Sequence, residues 1–175
     1  MIKWPSLKSV LETSTNVALI VVSALIIWSF ATHSSVWLRR STRAEDAIAL
    51  GSRLSPPAGY SWASHSKTLI LAIREGCVYC KNSVPFYKRL SDLREKSQMR
   101  AAFLAVMPDS RETGSQFLTA NNIGVDGMYS LPLSDIKVSG TPTLLLLDNQ
   151  GRIEKAWVGQ LPAAQENAVL AALKK

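Results

Sequence analysis

Cysteine and histidine are scarce in this chain: two of each among 175 residues, Cys77 and Cys80, His33 and His65. A structural zinc site takes four Cys or His ligands as a rule, so a metal centre would need all four, one of them from an apolar segment remote in sequence. Zinc is therefore the weaker reading of the cysteine pair, and each histidine reads as an ordinary surface or interface residue. Also missing is a basic stripe interleaved with aromatics. The 20 Lys and Arg against 13 Asp and Glu give a net charge of +7, but they are scattered, which argues against nucleic acid as a partner. The excess reads as a solvated surface that also favours an anionic membrane. Composition, at 47% hydrophobic and 19% charged, is that of a folded chain rather than a disordered one.

Permanent charge is absent between Glu12 and Arg39, and the centre of that interval, Val17 to Ala31, VALIVVSALIIWSFA, is almost wholly apolar. A helix over this centre covers only about 22 Å, but extension to Trp37 and Leu38 brings it close to the roughly 30 Å of bilayer hydrocarbon. Residues 1–38 are read as an N-terminal membrane anchor with a transmembrane helix over about 16–38, and Trp28 and Trp37 near an interface. Two other readings compete. A cleaved signal peptide is supported by the small residues in Ser29-Phe30-Ala31, and the segment could also be a buried helix. Lys3 and Lys8 before the span are outnumbered by Arg39, Arg40 and Arg43 after it, which alone would place the C-terminal part in the cytoplasm.

Residues 39–59 read as a linker, with Ala44 to Leu54 a possible helix and Ser55-Pro56-Pro57-Ala58-Gly59 a breaker. The folded domain is expected over 60–175. Tyr60 and Trp62 suit a short edge strand or a packed loop. Leu69 to Ile73, LILAI, is a continuous apolar run, as expected of a central strand buried on both faces. After Glu75-Gly76 and Cys77, Val84, Tyr87, Leu90 and Leu93 recur at helical spacing. The order is strand, cysteine turn, helix.

A helix leaves its first N–H groups unpaired and carries partial positive charge at its N-terminus, so a cysteine there is stabilised as thiolate. Cys77 is so placed, and its pKa is expected to fall from about 8.5 toward the range of about 3.5 to 7.5. That makes Cys77 the attacking nucleophile, while Cys80, one turn further in, is the shielded resolving thiol. A purely structural disulfide is the other non-metal reading, although a loop this short constrains the unfolded chain little.

Ala101 to Met107, AAFLAVM, reads as a second buried strand closed by Pro108-Asp109. Arg111 to Asn121 follows as a helix with Phe117 and Leu118 inward, and Val125 to Leu131 as an extra strand. Thr143 to Leu147 and Arg152 to Val158 flank the turn Asp148-Asn149-Gln150-Gly151 as an antiparallel pair. Pro142 falls at the strand's first residue, where proline is tolerated, and Pro162 to Leu173 closes the chain as a helix with Val169, Leu170 and Leu173 on one face.

CVYCKNSVP resembles the C-x-x-C motif of thioredoxin-like proteins, with Pro85 at the place of the proline that kinks their helix. Gly140-Thr141-Pro142-Thr143, followed by an apolar strand and D-x-x-G, resembles the second half of that family's signature. The resemblance covers about Trp62 to Lys175 and implies an α/β thioredoxin-like fold, a central mixed sheet flanked by helices. It also implies a cis Pro142 facing the dithiol, and a Thr141 backbone that pairs with an extended substrate segment. The helix and strand between Arg111 and Leu131 lengthen the interval between the C-x-x-C helix and the cis-proline strand, like an insertion. With the anchor, this is similar to TlpA/ResA-type thiol–disulfide oxidoreductases of the redoxin group.

That similarity implies a single-pass inner-membrane protein whose catalytic domain faces the periplasm or cell exterior. Implied partners are a protein substrate with a disulfide or dithiol, a redox protein that donates or accepts electrons, and the membrane itself; no cofactor is implied. The sequence departs from the pattern at Gly76, where a Trp is usual, at Leu71, in the place of a buried acid, and at Ser83, where some members carry Glu. Glu75 is then the nearest candidate base, though a solvated turn carboxylate is its plainer reading. The alternative to an enzyme is a tethered, non-catalytic binding module of the same fold that docks a partner through the Thr141-Pro142 face. A peroxidase of related fold would use a different cysteine context.

Overall fold

The computed structural model describes residues 20–26, 28, 29 and 48–174. The chain divides into two compact units, Met1–Arg43 and Ala44–Lys175. In the first, residues 20–26, 28 and 29 are helical, with Ile20, Val21, Val22, Leu25, Ile26 and Trp28 exposed. Among the described residues no helix is long and apolar enough to cross a membrane. Most of the expected span over 16–38, with His33 and Trp37, lies outside the described residues, as do residues 39–47 of the expected linker.

The second unit is built on a five-stranded mixed sheet: β1 (Lys67–Ala72), β2 (Ala101–Met107), β3 (Gly127–Ser130), β4 (Thr143–Asp148) and β5 (Ile153–Val158). Their order is β3-β2-β1-β4-β5. β1 pairs in parallel with β2 and antiparallel with β4, so Leu71 lies between Ala105 and Leu144. β3 extends the sheet in parallel beyond β2, and β5 closes the other side as an antiparallel hairpin with β4. The continuous apolar runs are thus the inner strands, buried on both faces as their composition requires.

Alternation along the strands splits the core. Leu69, Leu71, Ile73, Phe103, Ala105, Met107, Leu144 and Leu146 face one cluster, with Phe86, Tyr87 and Leu90 of α2 (Val84–Glu95), Leu118 of α3 (Arg111–Ala120), and Val169 and Leu173 of α4 (Ala163–Leu173). Ile70, Ala72, Leu104, Val106, Leu145 and Leu147 face the other, with Ile48, Leu54, Trp62, Ile136 and Val138. The helices therefore pack on one face, while the opposite face is covered by residues 48–64 and 131–138. Each fully buried Leu or Ile contributes about 2 kcal/mol.

That second covering differs from the expected linker. Residues 48–54 are not helical. Gly51 takes φ +78, a conformation that stops a helix, and the chain is tied to the start of β5 by Gly51 N to Ile153 O (2.8 Å), Ile153 N to Ser52 O (3.0 Å) and Leu54 N to Gly151 O (2.8 Å). Trp62 starts a 3-10 turn, Trp62–Ser64, not a strand, and its buried Nε1 donates to Leu54 O at 3.0 Å. Bare sheet surface needs apolar cover, and Ile48, Leu54 and Trp62 supply it, so the packed unit begins ahead of Tyr60.

Candidate active site

β1 delivers the chain through Ile73 to an exposed turn, Arg74-Glu75-Gly76, where Gly76 takes φ +70. The turn ends at Cys77, which is the N-cap of a short helix, α1 (Val78–Asn82), with φ −74 and ψ 107. Its Sγ accepts the Cys80 backbone N–H at 3.1 Å, so one of the helix's orphan donors is spent on sulfur. Cys77 and Cys80 are joined by a disulfide with their Cα atoms 5.2 Å apart. Cys77 is half-buried. Cys80 is fully buried, whereas the intervening Val78 and Tyr79 are 64% and 62% exposed.

Ser83 separates α1 from α2 and donates from Oγ to Tyr79 O at 2.8 Å. Pro85 lies in the first turn of α2, where its missing N–H is no loss. The helix is thus two helices hinged at Ser83, which keeps the dithiol turn distinct from the longer core-packed helix behind it.

Across from the sulfurs runs the loop into β4. The Thr141–Pro142 bond is cis, and the carbonyl oxygen of Thr141 lies 3.6 Å from Cys77 Sγ, where a reduced thiol would donate to it. Pro142 O accepts Gly159 N–H at 2.7 Å, and Thr143 Oγ1 donates to Gly140 O at 2.8 Å, which pins the loop on both sides of the proline. All four residues singled out in the sequence, Cys77, Cys80, Thr141 and Pro142, lie at this one place, although 64 positions separate Cys77 from Thr141.

The surroundings of Cys80 are apolar. Leu71 is fully buried in the same core cluster, and the buried polar side chains among the described residues, Thr68, Ser83, Ser91 and Thr143, include no carboxylate. The Tyr87 hydroxyl is buried without a hydrogen-bond partner. Burial pushes this phenol far up, and the Ser83 hydroxyl opposes the shift without bonding to it in ordinary geometry. Tyr87 stays a neutral phenol at neutral pH. Glu75 is exposed. His65 stacks against Tyr60, ring centroids 6.4 Å apart, and no group of three His, Cys, Asp or Glu able to hold a metal occurs among the described residues.

One contact of the turn had no sequence signal. Asp109 Oδ2 accepts the Glu75 backbone N–H at 2.8 Å across a separation of 34 residues. Only the adjacency of the β1 and β2 ends brings it there, and no spacing rule in the sequence predicts it.

Residues 62–174 match the family model of the thioredoxin-like domain. No curated protein matches the chain. Among solved structures the chain is similar to a thiol:disulfide interchange protein from Bacteroides sp., at 18% identity and TM-score 0.54 over 74% of this chain and 93% of that one. It is also similar to the thioredoxin domain of a thiol-disulfide oxidoreductase from Bacteroides vulgatus, at 16% identity and TM-score 0.53 over 72% and 99%. A third, a thiol-disulfide isomerase from Corynebacterium glutamicum, aligns at 15% identity and TM-score 0.53 over 74% and 98%. At such identities these three likenesses speak for the fold.

Proposed function

Because the chain belongs to the thioredoxin-like domain family, we propose that it is a thiol–disulfide oxidoreductase of the TlpA/ResA type, held at the inner membrane by residues 1–38 and acting on protein or small-molecule disulfides outside the cytoplasm. The observation that carries this reading is the Cys77–Cys80 disulfide at a helix N-terminus, with Cys77 facing the carbonyl oxygen beside a cis proline. In the reduced enzyme the Cys77 thiolate attacks one sulfur of a substrate disulfide. A mixed disulfide forms and one substrate thiolate leaves. Cys80, losing its proton to a solvent-borne base, then attacks Cys77 Sγ; the second substrate thiolate leaves and the Cys77–Cys80 disulfide closes. Two electrons pass to the substrate, and a partner redox protein supplies two electrons and two protons to reopen the site. Run backwards, the same steps oxidise a dithiol.

Thr141, with Pro142 holding its loop, offers backbone to an extended substrate segment, and the exposed Val78 and Tyr79 add apolar contact beside Cys77. The apolar run from Val17 to Ala31 supports the anchor. The full chain carrying Cys80→Ala, produced in cells, should accumulate mixed disulfides that a further Cys77→Ser change abolishes, and it should stay in the membrane pellet after alkaline carbonate washing. Absence of adducts would sink the exchange reaction, and release into the supernatant would sink the anchor.

A further inference from the structure

We infer that Asp109 is a positioning residue for the dithiol, and that it links the α3–β3 segment to the active-site turn. Its Oδ2 accepts the Glu75 N–H at 2.8 Å, two residues before Cys77 and next to Gly76 at φ +70. Its own carbonyl oxygen accepts the Ser130 Oγ at 2.6 Å, from the last residue of β3. A three-member chain therefore runs from the edge strand to the turn: Ser130 holds Asp109, Asp109 holds Glu75, and Glu75 sets the entry to Cys77.

The α3–β3 segment is also fixed against the far end of α2. Ser91 Oγ donates to Gly124 O at 3.2 Å and accepts Gly124 N–H at 2.6 Å. Arg94 Nε donates to Asp126 Oδ1 at 2.6 Å, while Asp126 Oδ2 accepts the Phe103 N–H at 2.8 Å. With its far end held in this way, the segment is a rigid support from which Asp109 can restrain the turn. A restrained turn keeps Cys77 Sγ over the Cys80 N–H and within reach of Cys80 Sγ, and so raises the effective concentration of one sulfur at the other. Asp109 thus favours the closed disulfide over the open dithiol.

The inference deepens the proposed function, but its readout does not need a physiological substrate. The full chain is equilibrated with glutathione buffers, in which two glutathione thiols reduce the Cys77–Cys80 disulfide to the dithiol and leave one oxidised glutathione. The fraction reduced is read by alkylation and mass spectrometry. Asp109→Ala, which removes the acceptor, should raise the equilibrium constant for reduction about tenfold, or about 30 mV. Asp109→Asn keeps an acceptor without the charge and should stay within about twofold of the wild type, whereas Ser130→Ala should shift about threefold in the direction of Asp109→Ala. An unchanged constant in Asp109→Ala, or an Asn variant that shifts as far as the Ala variant, overturns the inference. If Asp109→Ala does not fold, a threefold shift in Ser130→Ala with Asp109→Asn within about twofold of the wild type supports the inference, and an unchanged Ser130→Ala constant overturns it. Failure of Cys80→Ala to trap any substrate would count against the oxidoreductase reading and leave these constants as they are.

Discussion

Gly76 and Gly151 both take positive φ, +70 and +76, yet the space around them differs. A Cβ on Gly76 would meet nothing within 4 Å, whereas one on Gly151 would sit 2.5 Å from Trp62 Nε1 and 2.9 Å from Leu54 O. Gly76→Ala therefore carries the backbone penalty alone, about 1 kcal/mol, and Gly151→Ala adds overpacking against Trp62 for a total of about 3 kcal/mol. Urea denaturation of the two variants should show this ordering. Equal losses would mean that the contact beneath Gly151 relaxes freely. Backbone conformation, not crowding, suits glycine to the position before Cys77: the turn needs a residue at ease with positive φ, and Gly76 supplies it. Leu71 has the opposite character, since its full burial in the core cluster that also holds Cys80 leaves no water to support a charged side chain there.

At the scale of elements, the turn of the β4–β5 hairpin is braced by one carboxylate. Asp148 Oδ1 accepts the Gln150 and Arg152 backbone N–H groups at 2.8 and 2.9 Å, and these bonds, that to Arg152 first, hold its pKa below the ordinary aspartate value. A depressed folded-state pKa stabilises the fold above the unfolded value and ceases to do so as pH falls through the folded one. Asp148→Ala should therefore lower stability by about 1 kcal/mol at neutral pH, and the difference from the wild type should vanish as pH drops below the ordinary aspartate range. A thermal-melt difference that persists in acid would exclude the carboxylate as its cause. The hairpin was legible in the sequence, because Asp148-Asn149-Gln150-Gly151 is turn chemistry between two apolar runs. So were β1 and β2, whose uninterrupted LILAI and AAFLAVM have no other home than the inside of a sheet. The break at Ser83 and the cover supplied by Ile48 and Leu54 were not. Ile48 and Leu54 are buried while Leu50 between them is exposed, so no period marks them, and their burial depends on a sheet face that only tertiary structure creates.

For the whole molecule, the question is whether the disulfide holds the fold together or is held by it. The loop it closes has a sequence separation of 3, so it removes little freedom from the unfolded chain, about 2 kcal/mol at most on the loop-entropy model. The sheet and its two core layers are built mainly from apolar side chains packed on both faces. Circular dichroism of the Cys77→Ser/Cys80→Ser variant should show an intact fold melting only a few degrees below the wild type. Loss of the folded spectrum would make the bridge structural and remove the ground for calling it a redox centre. Within the long-range part of the site, what the sequence did not show is Asp109. Pro85 and Thr141-Pro142 were recognisable by motif, while Asp109 reaches the turn only because neighbouring parallel strands end side by side.

Cys77 as the attacking sulfur and Cys80 as the shielded one is the central claim, and limited alkylation of the freshly reduced protein near neutral pH tests it most directly. Peptide-level mass spectrometry should show Cys77 modified first, with Cys80 protected until the fold is denatured. Modification of Cys80 first, or of both at equal rates, would contradict it.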